Sequence, residues 1–232
     1  MIIKLYISWN VDPALYEGII SLRYYSIFFA ISFLLGFYMV KKMYINESAP
    51  IQWMDKKLVY AVLGTIIGAR LGHVFFYEWD YYAENLMEIP MVWKGGLASH
   101  GAAIGIITSL YLYQRKYTYK PLLWILDRLA ITVAFAGIFI RIGNFFNSEI
   151  VGKETDSIFG VVFSKLGEDF ARHPAQLYEA FSYIIIFFIV AHIYWKTDKL
   201  KKTGYLFGLF FVLLWSSRFI VEFFKQAQVD GR

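Results

Sequence analysis

In a soluble domain of this size, apolar positions alternate with polar ones; here they arrive in blocks about as long as a bilayer is thick. Six such blocks are legible, at about Ile19–Val40, Leu58–Tyr77, Leu97–Tyr113, Pro121–Ile140, Leu177–Trp195 and Tyr205–Phe224. Each predicts a helix, because an open sheet edge cannot face lipid. The expectation is an all-α, polytopic transmembrane helical bundle of about six spans. It forms one integral membrane domain over residues 1–232, and its longest polar insertion, 146–174, is expected to make a small extracytoplasmic head or lid.

Charge orients the bundle. The loop after the first span carries Lys41, Lys42, Lys56 and Lys57, and the loop after the third carries Arg115, Lys116 and Lys120. The loop after the fifth carries Lys196, Lys199, Lys201 and Lys202. Lysine and arginine collect on the cytoplasmic side, so these loops are placed inside, and the N-terminus and the 146–174 insertion outside. Composition agrees: the chain is 58% hydrophobic with only 18% charged residues, most of them between the blocks. The net charge of +5 follows from the same rule. No basic segment interleaved with exposed aromatics points to nucleic acid. With no cysteine, a disulfide framework, a thiolate metal site and a cysteine nucleophile are all excluded, and any reacting thiol must belong to a substrate. The first residues lack signal-peptide form, so the first span is expected to act as its own targeting signal.

Charged side chains inside spans default to a functional reading when they cannot snorkel. Arg23 reads as an interface anchor, while Arg70 divides evenly between structural pairing and substrate binding. Arg141 and Arg218 have no acid in the stretch just before them, and a guanidinium is a natural bidentate partner for phosphate. The run from Arg141 to Gly152 adds Asn144, Asn147 and Glu149, too polar a group to be capping alone. In Gly95-Gly96-Leu97-Ala98-Ser99-His100-Gly101, the small residues suit close helix packing. His100 there is either a satisfied structural histidine or a proton acceptor. The segment Arg172–Glu179 is helix-entry chemistry or part of a site, with neither favoured.

Together these segments resemble the prolipoprotein diacylglyceryl transferase family. The run Arg141-Ile142-Gly143-Asn144-Phe145-Phe146-Asn147-Ser148-Glu149-Ile150-Val151-Gly152 matches its most specific motif. Gly68–Gly72, Gly95–Gly101, Arg172–Glu179 and Arg218–Phe224 follow the family's order over nearly the whole chain. The resemblance implies transfer of the diacylglyceryl group of phosphatidylglycerol to the lipobox cysteine of a prolipoprotein, with glycerol-1-phosphate leaving. It implies a multi-pass protein of the bacterial cytoplasmic membrane with its site on the extracytoplasmic side. Functional positions of the family fall on Tyr25, His100, Arg141, Asn144, Glu149, Gly152 and Arg218. His100, Arg141 and Arg218 are expected to be catalytic. Tyr25, Arg70, Asn144, Glu149 and Gly152 are expected to bind substrate, and neither a metal nor an organic cofactor is expected. Two departures stand out: a further span is usual after the sixth, and Leu214 stands where the family often has a tyrosine, one turn before Arg218. The alternative from another class is a transporter or flippase for an anionic lipid or metabolite, which would also need intramembrane arginines. It would more often show paired broken helices, and none are visible here.

Overall fold

The computed structural model describes residues 6–17, 21–198 and 202–226. Ile19, Lys199, Lys201 and the chain end at Arg232 lie outside the described residues. The helices are α1 (Tyr24–Asn46), α2 (Gln52–Phe76), α3 (Trp79–Glu84), α4 (Ser99–Tyr117), α5 (Leu122–Phe146), α6 (Ala175–Lys196) and α7 (Tyr205–Glu222). Four short strands accompany them: β1 (Ile7–Trp9), β2 (Ala14–Tyr16), β3 (Leu22–Arg23) and β4 (Val161–Phe163). The architecture is the all-α polytopic one expected. Among the described residues, α1, α2, α5, α6 and α7 are long and apolar enough to cross a membrane. Their exposed Leu34, Phe188, Val212 and Phe219 are what a lipid-facing surface requires.

The third expected span differs. It forms α4, a helix of 19 residues that begins on Ser99-His100 and ends on Gln114-Arg115-Lys116-Tyr117, so its composition falls short of the other five.

The chain divides into two compact units, Met1–Val40 with Leu126–Arg232, and Lys41–Ile125. In the second unit, α4 runs antiparallel along α2 on a seam of glycines. A Cβ added to Gly68 would stand 2.7 Å from the Gly105 Cα, and one added to Gly72 would stand 2.6 Å from the Gly101 Cα. Small residues at every fourth position on both helices let the backbones touch, which is how helices gain contact where lipid removes the hydrophobic drive. An apolar groove of about 670 Å³ follows this seam.

In the first unit, α6 packs on α7, and α7 starts on a side chain from α5. Asp127, fully buried, accepts from the Gly204 and Phe207 amides at 2.7 and 2.9 Å. That satisfies orphan donors of a helix N-terminus and places a carboxylate at its positive end.

Between α5, which continues through Phe146, and α6 lies the head segment, residues 147–174. β4 pairs in parallel with β1 in the register Ile7↔Val161 and Trp9↔Phe163. Phe145, Val161 and Phe163 are buried there against Trp9, Phe146 and Val151. The head is also stitched to the chain after α7, through the Lys153 amide to the Phe224 carbonyl at 2.8 Å. Pairing with distant segments substitutes for the core that a peptide this short cannot build.

Candidate active site

The C-terminal end of α5 presents Arg141 and Asn144 on one face, since residues three apart are neighbours on a helix. Arg141 Nε lies 2.9 Å from Glu179 Oε2, with the two side chains 15% and 4% exposed. Its NH1 donates to Asn144 Oδ1 at 3.2 Å, and Asn144 Nδ2 donates to Glu149 Oε1 at 2.7 Å. Only one orientation of the Asn144 amide satisfies both neighbours. Asn147 Nδ2 also reaches Glu149 Oε1, at 3.2 Å. At the other end of the chain of contacts, Lys225 Nζ lies 3.6 Å from Glu179 Oε1. The result is an alternating row of Lys225, Glu179, Arg141, Asn144 and Glu149 in which each charge meets an opposite charge or an amide.

Glu149 is folded back on Asn144 by a strained turn. Ser148 and Ile150 have φ of 52° and 59°, a left-handed conformation that is a true outlier for a β-branched residue. Gln176, fully buried at the start of α6, holds the turn by donating Nε2 to the Glu149 carbonyl at 2.6 Å. Among the described residues, the buried atoms with no hydrogen-bond partner include Gln176 Oε1, Ser148 Oγ, Asn147 Oδ1 and Glu179 Oε2, the last held by the ion pair with Arg141 alone. Unpaired polar atoms concentrated at one place mark a functional wall more often than a packing fault.

Tyr25 lies against Gly143, where an added Cβ would meet its ring at 2.8 Å. Gly143 therefore lets α1 approach beside the Arg141–Asn144 face. Gly152 plays another part than offering open backbone to a ligand. Its Cα faces the His173 and Phe224 carbonyls, and an added Cβ would stand 2.5 and 2.6 Å from them. Its amide donates to the His173 carbonyl at 2.9 Å. Arg218 on α7 stacks near Trp215, 5.6 Å from the ring centroid. Arg218, Arg141 and Glu179 all lie within electrostatic reach of Tyr183 on α6.

Arg70 and His100 belong to the second unit. Arg70 is buried, and its donors are taken by one loop: Nε to the Ile89 carbonyl at 2.8 Å, NH2 to Glu88 at 2.8 Å and NH1 to Gly95 at 2.6 Å. Of its two sequence readings, structural pairing describes this geometry. Gly95 and Gly96, at φ of 87° and 71°, adopt the backbone that glycine allows most cheaply, and both turn their carbonyls to Arg70. His100 stands exposed in the first turn of α4, its ring 5.3 Å from Phe76 and 5.6 Å from Tyr77 between centroids.

Glu179, Lys225 and Tyr183 were not singled out as site residues from sequence. Glu179 did carry a signal: with Gln176 and Tyr183 it forms an i, i+3, i+7 polar stripe at the start of an apolar helix. Lys225 carried none, as a lysine at the end of a span reads as an anchor.

A family profile described as prolipoprotein diacylglyceryl transferase matches residues 13–230. The chain is 46% identical over 221 residues to the phosphatidylglycerol–prolipoprotein diacylglyceryl transferase of Tolumonas auensis, covering 95% of this chain and 85% of the relative. It is 43% identical over 226 residues to the protein of that name from Chloroherpeton thalassium, covering 97% and 84%. For the one from Porphyromonas gingivalis the identity is 39% over 239 residues, covering 98% and 84%. The row of polar groups closing α5 thus sits in a chain that matches these relatives almost end to end, and the chain belongs to the prolipoprotein diacylglyceryl transferase family.

Proposed function

We propose that this protein transfers the diacylglyceryl group of phosphatidylglycerol to the lipobox cysteine of a prolipoprotein. The thiolate sulfur attacks the glycerol carbon that bears the phosphate ester, a thioether bond forms, and the C–O bond breaks. The electron pair leaves with the phosphate oxygen, and glycerol-1-phosphate is released. Negative charge grows on that phosphate as the bond lengthens, so cations beside it act more strongly in the transition state than in the ground state.

The observation that carries the reading is the row Glu179–Arg141–Asn144–Glu149 at the end of a membrane-spanning helix. Two anchored edges fix the plane of the Arg141 guanidinium, and its remaining donors suit phosphate oxygens. Arg218 supplies a second cation. Asn144 and Glu149 orient the headgroup, while Gln176 Oε1 and Ser148 Oγ suit its glycerol hydroxyls. Tyr25 closes the wall over Gly143, and Gly152 keeps the head tight against the end of α7. The incoming thiol, with an ordinary pKa of roughly 8.5, gives its proton to His100. Arg70 serves by shaping the loop that precedes His100.

We place the protein in the bacterial cytoplasmic membrane with the site extracytoplasmic, because the loops after α1, α4 and α6 carry the lysine and arginine excess. No specific observation favours transport. The test is purified protein with labelled phosphatidylglycerol and a lipobox peptide. Label on the cysteine together with free glycerol-1-phosphate is expected. Intact lipid and unlabelled peptide in a folded preparation overturn the reading.

A further inference from the structure

Tyr183 is placed with more care than a lipid-facing tyrosine needs. It follows Glu179 by one helical turn, so the two share the α6 face that meets Arg141. Its ring lies flat over Gly137 of α5, where an added Cβ would stand 2.6 Å from both Cδ1 and Cε1. A glycine in the middle of a long apolar helix costs about 1 kcal/mol relative to alanine, and here it makes room for this one ring. Gly137 precedes Arg141 by one turn, so the ring sits one turn from the Arg141–Glu179 pair, within electrostatic reach of Arg141 and Arg218. A guanidinium only donates, so beside Arg141 the phenol keeps its own proton to donate. Glu179 on the same face pairs with Arg141 and Lys225, and its Oε2 accepts no hydrogen bond, so it does not take the phenolic proton.

Building on the transferase reading, we propose that Tyr183 is a substrate-binding residue, donating its phenolic proton to the lipid phosphate held by Arg141 and Arg218. The two cations bring the anion, and the phenol fixes which oxygen is bound. No proton changes owner in this role; the bond strengthens as charge accumulates on the departing phosphate.

The test is Tyr183→Phe, which keeps the ring on Gly137 and removes only the hydroxyl. A lost hydrogen bond to a charged group corresponds to a fall of roughly ten- to hundredfold in kcat/KM for phosphatidylglycerol. The KM for the lipobox peptide and the melting temperature are expected to stay put. Inhibition by added glycerol-1-phosphate, which presents the phosphate without the lipid, is expected to weaken by a similar factor. A tyrosine at Leu214, one turn before Arg218, returns a hydroxyl to that neighbourhood, so Tyr183→Phe with Leu214→Tyr is expected to regain activity. Unchanged kinetics and unchanged inhibition in Tyr183→Phe overturn the proposal. So does lost activity accompanied by a lower melting temperature, unchanged inhibition and no rescue. Absence of transfer by the unaltered protein overturns instead the transferase reading beneath it.

Discussion

Arg141 is gripped on two sides, by Glu179 at 2.9 Å and by Asn144 at 3.2 Å, and the grip depends on its planar shape. Arg141→Lys keeps the charge but replaces the fork by a point donor that cannot meet both neighbours and a phosphate at once. A loss of about two orders of magnitude in kcat/KM is expected, from two or more charge-assisted bonds at once. Near-normal transfer of label by this variant would remove Arg141 from the phosphate role. His100→Gln separates a proton acceptor from a structural imidazole: activity that recovers as pH rises, when the substrate thiol ionises unaided, is expected. A flat loss across pH would return His100 to packing. At this scale the polarity of the 141–149 run was legible, because charge in an apolar block is conspicuous. The Arg141–Glu179 pairing was not, because nothing local to either residue names a partner on another helix.

At the scale of elements, the small residues opening α4 pack closely, and their partners are the glycines of α2. An added Cβ at Gly68 would meet the Gly105 backbone at 2.7 Å, and backbone cannot swing aside as a side chain can. Gly68→Val is therefore expected to pry α2 from α4 and lower the melting temperature in detergent. Gly208 on α7 is the contrast. No atom lies within 4 Å of where its Cβ would stand, so Gly208→Ala is expected to be neutral or stabilising by up to about 1 kcal/mol. If both variants melt alike, the seam does not hold the helices. Asp127 works between elements too, since replacing it by alanine leaves the part-buried Gly204 and Phe207 amides at the start of α7 without their acceptor. That costs about 1–3 kcal/mol for each. Asp127 was not singled out from sequence, because nothing near it along the chain names the helix its carboxylate caps.

At the scale of the whole molecule, long-range polar contacts hold the head segment to the chain after α7. Arg172 binds Glu168 through both carboxylate oxygens and also reaches the Gly152 carbonyl and Gln226. The Arg172 guanidinium holds the Glu168 carboxyl below its ordinary value of 4.5. Burial holds the His173 imidazole below its ordinary 6.5. Both folded forms bind protons less readily than the unfolded chain, so both contributions are complete above the ordinary values and fade as pH falls through the folded ones. The melting temperature is expected to be flat above about pH 6.5 and to decline in two stages on acidification. His173→Asn should flatten the upper stage and Glu168→Gln the lower. A melting temperature that rises on acidification would contradict this.

The span pattern, the membrane class, the small residues that open α4 and the polar run closing α5 were decided by the sequence alone. Each depends on residues near one another along the chain: block length, helical period, or charge within an apolar block. The tertiary structure decided which carboxylate holds Arg141, and why Gly152 must lack a side chain. It also turned Arg70 toward its own loop, tied the head to β1 and Lys225, and brought Tyr183 to the arginines. All of these are contacts between segments distant in sequence. Their strength comes from burial and from directed hydrogen bonds, and neither exists until the helices have packed.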